Sequence, residues 1–160
     1  TAIELGLSPY HALAMTADDT THATIHLRFD FAAAHRLHVP AWSDEANLAY
    51  FGKCNNPNGH GHNYRFEVRV AIPAPHLGSF SIDALEAIVE SAVIARFDHK
   101  HLNLDTEEFA AGTGLNPTVE NIARVCYSLL ALPVATLGEG ITLCAVRVWE
   151  TDRTSSEYPA

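Results

Sequence analysis

Alternating apolar and polar residues predict three strands in this chain of 160 residues. The first strand, over 23–35, places alternate apolar side chains on one face, and His35 ends that face. The second, over 62–72, carries His62 at the start of its apolar face. The third, over 141–151, has Glu150 near the end of a mostly apolar row. Each strand therefore brings a polar side chain to one end of a face predicted to be buried.

Helical periodicity occurs twice between these strands. Apolar residues recur every three or four positions over 82–96, behind Ser81 as a predicted N-cap. A second apolar stripe runs over 117–130, with Asn116 predicted as the N-cap. A shorter helix is expected after Ser43. The order of these elements predicts an α+β fold, in which helices cover one face of an antiparallel sheet.

The first 21 residues show no clear period, and we expect residues 1–21 to be an arm of uncertain order. The ordered part is expected to begin near Ala23. The length suits one compact domain, so residues 22–160 are predicted to form it.

Composition limits the classes of function. No apolar run approaches the roughly 18 residues that span a bilayer, and the opening residues lack the basic segment of a secretory signal. Three widely spaced cysteines indicate no disulfide framework, so a soluble, cytoplasmic protein is expected, with no membrane partner. The net charge of -9, without a basic stripe, argues against a nucleic-acid partner.

Histidine is abundant, and the segment 54–64, "CNNPNGHGHNY", concentrates it. An H-x-H pair on a strand, His60 and His62, points both rings to one side about 7 Å apart, close enough to bind one metal ion. The same pattern also occurs in solvated turns. His35 supplies a third imidazole, and three neutral histidines leave one position of a zinc ion open. That arrangement is typical of catalysis or substrate binding.

The three cysteines have different predicted roles. Cys54 lies in a segment rich in Asn, Pro and Gly, where we expect it to be exposed. A nearby metal ion and Lys53 would favour its thiolate. Cys126 and Cys144 fall on predicted core faces and are expected to be inert.

Three further groups have two interpretations each. Asp98 and His99, within "FDHKHLN" (97–103), could form a proton relay, or the basic residues there could simply be favourable cations at a helix C-terminus. Glu150 could be solvated or could grip a planar ligand through two hydrogen bonds to an N-C-N edge, and its apolar neighbours favour the second. For Glu120, a solvated carboxylate at a helix start is the better interpretation.

These motifs jointly resemble one family, the 6-pyruvoyltetrahydropterin synthases and the related 6-carboxytetrahydropterin synthases. The resemblance extends from about Phe29 to Tyr158. Four segments carry it in the family's order: "FDFAAAHRLHVPAWSDEANLAYFGKCNNPNGHGHNY", "FDHKHLNLD", "NPTVENIA" and "VRVWETD". The resemblance implies the tunnelling fold (T-fold), a four-stranded antiparallel sheet with helices on one face. It also implies a homo-oligomer in which subunits join their sheets into a barrel, commonly a hexamer of two trimers.

The resemblance also implies a role for each matching site residue. It implies Zn2+ bound by His35, His60 and His62, a base at Cys54 with Asp98 and His99 as acid-base partners, a pterin anchor at Glu150, and a pterin-pocket lining at Thr118 and Glu120. Active sites of the family lie between subunits. Ser81 and Glu86 depart from the family's pattern, which bears on subunit contacts more than on the zinc site.

The implied substrate is 7,8-dihydroneopterin triphosphate, and Arg36, Lys53 and Lys100 are the candidate cations for its triphosphate. The six-residue spacing from Cys54 to His60 favours 6-pyruvoyltetrahydropterin as the product. The alternative is 6-carboxytetrahydropterin with release of acetaldehyde, a step toward queuosine and related deazapurines.

Two readings from other classes stay open. One is a zinc-free cysteine hydrolase, with Cys54, His99 and Asp98 as its triad. The other is a metal-bearing scaffold without turnover. Neither accounts for three convergent histidines together with the strand that carries Glu150.

Overall fold

One sheet and the helices on one of its faces make up the fold. The computed structural model describes residues 2–112 and 114–160. The elements within these ranges are β1 (Ala2–Gly6), β2 (His11–Thr16), β3 (Asp19–His35), α1 (Asp44–Phe51), β4 (His60–Pro73), α2 (Ile82–Val89), α3 (Ala95–Phe97), β5 (Lys100–His101), α4 (Leu102–Asp105), α5 (Val119–Ala135), β6 (Thr142–Thr151) and β7 (Thr154–Tyr158). Short 3-10 turns cover Gly52–Asn55 and Ala74–His76, and a π-helical turn covers Glu90–Ile94. No helix within the described ranges is long and apolar enough to cross a membrane.

The sheet has the order β1-β2-β3-β4-β6-β7, and all of these neighbours are antiparallel. The short strand β5 pairs with β3 in parallel. In the longest pairing, β3 and β4 run side by side from His22 opposite Pro73 to His35 opposite His60. The predicted fold class is therefore confirmed, although over the described residues the sheet contains more strands than the four that the resemblance implied.

The core lies between this sheet and the helices α2 and α5. The predicted alternation of β3 and β4 is confirmed, because their apolar faces supply aromatic side chains such as Phe31 and Tyr64, whose rings stack with centroids 5.0 Å apart. Burial of each large apolar side chain contributes about 1.5–3 kcal/mol. His35 is fully buried at the end of this face. The packed apolar side chains of this face thus hold His35 in position.

The first residues form structure that their sequence did not indicate. β1 and β2 make a hairpin that pairs onto β3, and β3 itself begins at Asp19, before the expected start near Ala23. The side chains of β1 that are described are exposed and β2 buries one residue, Ala12. A strand without a buried face has no reason to alternate. The assignment of residues 22–160 as a separate domain stays a prediction.

The start of α5 differs from the sequence prediction. The N-cap is Thr118, whose hydroxyl accepts a hydrogen bond from the Asn121 amide at 3.4 Å, so the prediction of Asn116 was wrong. Asn116 instead uses its side-chain oxygen to accept from the amide of His38 at 3.2 Å. The predicted cap at Ser81 is confirmed, since its hydroxyl accepts from the Ala84 amide at 3.1 Å.

Cys144 is exposed, which corrects the prediction that it lies in the core. The pairing of β4 with β6 shifts by one residue, because Arg69 pairs with Ala145 whereas Val70 pairs with Leu143. Cys144 is left without a partner in a bulge, and a bulge reverses which face the following side chains occupy. The buried position of Cys126 is confirmed, and burial raises the pKa of its thiol to about 12.

Glu67 is buried on the sheet face that the alternation assigns to solvent. Arg28 and Arg69 donate to its carboxylate through Nε at 2.8 and 2.7 Å, and His26 Nδ1 lies 3.4 Å away. Burial opposes ionisation of Glu67, but these three partners outweigh it and lower the pKa to about 2. The long side chains of Arg28 and Arg69 thus cover the Glu67 carboxylate, which the alternation predicted to be exposed to solvent.

The depressed pKa of Glu67 predicts a pH-dependent contribution to stability. Its carboxylate stabilises the folded state above the ordinary pKa of 4.5, and this contribution is lost as the pH falls toward 2. We expect Glu67→Gln to lower the free energy of unfolding by roughly 3 kcal/mol at pH 7. Urea denaturation from pH 7 to pH 2.5 measures it, with the exposed Glu4→Gln as control. A difference that does not shrink with falling pH would contradict the ionic contribution.

Candidate metal centre

Three histidines converge at the end of the β3–β4 pair. His35 comes from the last position of β3, and His60 and His62 come from the first turn-proximal positions of β4. The ring centroids of His35 lie 4.6 Å from His60 and 5.2 Å from His62, and those of His60 and His62 lie 4.7 Å apart. One nitrogen of each ring lies within 4.8 Å of the others. The predicted convergence of the three imidazoles is therefore what the structure shows.

The orientation of His35 is determined by a buried backbone carbonyl. Its Nδ1 lies 2.8 Å from the oxygen of Pro117, the residue just before the α5 N-cap. Because a carbonyl only accepts, Nδ1 must carry the hydrogen, and the neutral ring then has a bare lone pair on Nε2. That nitrogen faces His60 Nε2 at 3.2 Å. A hydrogen bond to the far nitrogen is the usual way in which proteins orient a metal-binding histidine.

The environment of two of these rings, His35 and His60, favours their neutral form. Burial, together with the neighbouring histidines, lowers the pKa of His35 to about 4 despite the opposing hydrogen bond to Pro117. Burial also lowers the pKa of His60, with His62 as the second cause. Neutral imidazole is the form that binds a metal ion, so the site is prepared for one at physiological pH.

The residues present fit a zinc ion. Nitrogens bound to one tetrahedral zinc at about 2.0–2.1 Å lie roughly 3.3 Å apart, close to the His35–His60 separation of 3.2 Å. His60 Nδ1 and His62 Nε2 are buried without a hydrogen-bond partner among the described residues. A buried nitrogen without a partner costs free energy, and a bound cation is one partner that would remove the cost for His62.

Glu150 lies against the same cluster. Its Oε1 is 3.4 Å from His35 Nε2 and 3.5 Å from His62 Nε2, and its side chain is 16% exposed. The β4–β6 pairing places it there, since Arg65 lies opposite the preceding residue, Trp149. Of its two sequence interpretations, the structure favours the buried carboxylate over the solvated one.

Cys54 lies beside the cluster, but in a setting different from the one predicted. It belongs to the 3-10 turn Gly52–Asn55, it is half-buried, and its carbonyl accepts from the Leu37 amide at 2.8 Å. Burial raises the pKa of its thiol, and the negative charge of Glu150 raises it further. The expectation of an exposed cysteine whose thiolate Lys53 favours was therefore wrong for the chain alone. The turn is held by Asn55, whose amide donates to Leu37.

Asp98 and His99 form a hydrogen-bonded pair on the edge of β3. Asp98 accepts from the Ala32 amide at 2.8 Å and from His99 Nδ1 at 2.8 Å. The Ala32 amide is the main reason that the pKa of Asp98 lies below its usual value. His99 has a positive φ of 57° and a side chain that is 82% exposed. No contact of this pair with Cys54 is found within the described part of one chain, so the triad of a cysteine hydrolase is not assembled there.

The segment at the start of α5 contacts the histidine cluster through the carbonyl of Pro117, and not through the predicted residues Thr118 and Glu120. Thr118 is half-buried one position away from that carbonyl, and its hydroxyl caps the helix. Glu120 is exposed in the first turn of α5. Both stay candidates for ligand contact.

Two residues at the site were missed by sequence reasoning. Tyr64 is fully buried with its hydroxyl 3.4 Å from His35 Nδ1. His101 packs against Gly59, where an added Cβ would lie 2.6 Å from the ring nitrogen Nε2. Its Nδ1 is buried and has no hydrogen-bond partner among the described residues. Tyr64 could have been found from the sequence, because it lies two residues after His62 on the same face of β4. His101 could not, because only the fold brings it against Gly59.

Comparison with known proteins agrees with this geometry. The family profile described as 6-pyruvoyl tetrahydropterin synthase matches residues 24–160. The 6-pyruvoyl tetrahydrobiopterin synthase of Homo sapiens is 39% identical over 141 residues, covering 85% of this chain and 90% of the human protein. That of Drosophila melanogaster is 38% identical over 133 residues, covering 82% and 76%.

A solved structure agrees as well. The 6-pyruvoyl tetrahydropterin synthase of Caenorhabditis elegans superposes with a TM-score of 0.73 at 33% identity, covering 86% of this chain and 94% of the other. The profile match, the identities and the superposition all extend across the two strands that carry the three histidines. The chain therefore belongs to the 6-pyruvoyl tetrahydropterin synthase family, and it is a lyase.

Proposed function

We propose that this protein converts 7,8-dihydroneopterin triphosphate to 6-pyruvoyltetrahydropterin with loss of triphosphate, and that it does so at a zinc centre. The observation that carries the proposal is the convergence of His35, His60 and His62 beside Cys54 and Glu150. Together they provide metal ligands, a thiol and a carboxylate within one site, which a structural metal site would not need.

The three histidines would hold the ion and leave a position open toward the substrate. Bound zinc would supply Lewis-acid chemistry, lowering the pKa of the side-chain hydroxyls. The protein's own contribution is orientation, because the Pro117 carbonyl keeps His35 in one tautomer and the β3–β4 register fixes His60 opposite it.

Glu150 is proposed to anchor the pterin ring. A carboxylate can accept two hydrogen bonds from the N-C-N edge of a pterin, which fixes both the position and the plane of the ring. Its contacts with His35 and His62 support this role, because a ring held there would lie next to the proposed metal ligands. Thr118 and Glu120, at the start of α5, are proposed to line the same pocket.

Cys54 is proposed as the base that removes the carbon-bound proton next to the imine. Its thiol has a raised pKa because of burial and the charge of Glu150. A cation bound nearby would offset the cost of burying the thiolate, and hydrogen bonds from the pterin would weaken the effect of the Glu150 charge. The base is therefore expected to form its thiolate only in the loaded site.

Asp98 and His99 are proposed to return a proton from a neighbouring subunit. The hydrogen bond from His99 Nδ1 to Asp98 leaves Nε2 facing outward on a side chain that is 82% exposed. An exposed and well-oriented imidazole without contact to Cys54 in its own chain suits a site completed by a second chain. The proposed assembly is the family's barrel, a hexamer of two trimers.

Zinc binding tests the proposed metal centre without relying on enzymatic activity. We expect the purified protein to bind one zinc ion per chain and His60→Gln to weaken the affinity at least about tenfold, since one of three ligands is lost. Zinc titration monitored by elemental analysis, together with the visible spectrum of the cobalt-substituted protein, measures this. His76→Gln, in a turn outside the cluster, is the matched control. Equal zinc binding by both variants would rule out the three-histidine site.

Turnover of 7,8-dihydroneopterin triphosphate tests the reaction. The wild-type protein should release triphosphate and form 6-pyruvoyltetrahydropterin, and Cys54→Ala should lower kcat by about 10²–10⁴-fold because a general base is lost. Product analysis by mass spectrometry measures both, with the exposed Cys144→Ala as control. Acetaldehyde and a carboxylated pterin among the products would establish the alternative product instead.

Mixed oligomers test whether two chains share a site. Cys54→Ala and His99→Ala proteins should each be inactive. An oligomer that contains both kinds of subunit should recover activity, because some of its sites combine Cys54 from a His99→Ala chain with His99 from a Cys54→Ala chain. Refolding of mixtures followed by turnover assays measures this. The control combines Cys54→Ala with Glu150→Gln, two residues of the same chain's cluster, and should stay inactive. If the mixture of Cys54→Ala and His99→Ala subunits recovers no activity, Asp98 and His99 do not act at the Cys54 site of a neighbouring subunit.

A further inference from the structure

We propose that the cleft between α1 and the turn that carries Cys54 binds the triphosphate of the substrate, with Arg36 and Lys53 as its cationic residues. This inference rests on the proposed function, and it identifies which of the candidate cations act. The cleft has a volume of about 700 Å3 and reaches the metal centre at His60. It is therefore continuous with the place where the reacting side chain would lie.

The two cations in this cleft are free to bind an anion. Within the described residues, neither Arg36 nor Lys53 has a carboxylate within 4.0 Å, whereas Arg28, Arg69 and Arg96 are all paired. Arg36 is also held in place, because its Nε donates to the Asn55 carbonyl at 3.2 Å and its amide donates to the Asn103 side chain at 2.7 Å. The terminal nitrogens of its guanidinium stay available for a bidentate contact with phosphate oxygens.

The position of Glu150 sets the direction in which the substrate must lie. Glu150 contacts His35 and His62, while the cleft opens at His60. A pterin anchored at Glu150 and reaching the metal through its hydroxyls would therefore continue its side chain toward His60. The triphosphate lies at the far end of that side chain, so it would enter the cleft beside the turn of Cys54.

Lys100, the third candidate cation, lies elsewhere. It lines a shallow groove along β3, β4 and β5 together with His99 and the backbone neighbours Ala33 and Ala34. That groove meets the metal centre at His62, on the side of Glu150, and neither His60 nor Arg36 lines it. The structure thus separates Lys100 from the two cations of the cleft, although the sequence grouped all three.

The charge of the rest of the protein makes the cleft's cations important. The chain carries a net charge of -9, so the average field repels a triphosphate. Within the cleft, two cations face one carboxylate, Asp44, which occupies the first turn of α1. Because salt screens these charges, binding of the triphosphate should weaken as ionic strength rises.

Ligand binding in a Cys54→Ala background, in which turnover is blocked, tests the proposal on the zinc-loaded protein. Two probes are compared by calorimetry, 7,8-dihydroneopterin triphosphate and the phosphate-free 7,8-dihydroneopterin. We expect Arg36→Gln and Lys53→Met each to weaken binding of the triphosphate about tenfold, and to change the Kd of the phosphate-free probe less than twofold. Asp44→Asn should strengthen binding of the triphosphate.

Two controls make the result specific. Lys100→Met tests the other lysine of the chain, and Arg124→Gln tests an exposed arginine on α5. Both are expected to leave the two Kd values unchanged. Lys53 is exposed, and its side chain makes no hydrogen bond or ion pair among the described residues. The hydrogen bond that it makes there uses the backbone carbonyl, which Lys53→Met keeps, so this variant keeps the test valid even if Arg36→Gln disturbs its turn.

The outcomes separate this inference from the proposed function. If both probes bind to the Cys54→Ala protein and the cleft variants change neither Kd, or change both equally, the cleft is not the triphosphate site. A selective loss with Lys100→Met would move that site to the groove along β5. If neither probe binds to the Cys54→Ala protein, the proposed function itself is overturned, and this inference falls with it.

Discussion

The pairing register between β3 and β4 is the constraint on which the site depends. It runs over fourteen residue pairs and ends with His35 opposite His60. If one of these strands slipped by one residue, its apolar face would turn toward solvent, so the same burial that stabilises the core also fixes where the histidines meet. The hydrophobic face next to the cluster, with Phe31 and Tyr64 stacked in it, thus positions the histidines of the candidate metal centre.

Burial at this site has opposite effects on its groups. It keeps His35 neutral, which prepares the ring for a metal ion, and it also raises the pKa of Cys54, which opposes the thiolate. Glu150 adds a negative charge that suits a cation but disfavours a second anion beside it. A divalent ion and a hydrogen-bond-donating ring between Glu150 and Cys54 would reduce the repulsion between the carboxylate and a thiolate. The unfavourable setting of the thiolate in the chain alone is therefore consistent with a site that functions with the ion and the ring bound.

The positions of the charged residues divide the molecule into surfaces with different properties. On the outer sheet face, Glu67 gathers arginines into a buried network, so those cations are already neutralised. Near the metal centre, Arg36 and Lys53 lack carboxylate partners in the described part of the chain and face a cleft. In a protein with an acidic balance, these two cations supply positive charge where the anionic substrate is proposed to bind.

The sequence alone determined three of the strands, the class of fold and the meeting of three histidines. Alternation over 23–35 and 62–72 reports burial directly, and His35, His60 and His62 stand at the ends of those faces. It could not show the β1–β2 hairpin, whose strands lack a buried face, or the bulge that exposes Cys144, because a bulge depends on the partner strand. Only the tertiary structure decided that Pro117 orients His35, that Thr118 caps α5, and that Lys53 lies in the cleft while Lys100 does not. These features depend on groups distant in the chain meeting in space, and local periodicity carries no information about which distant groups will meet.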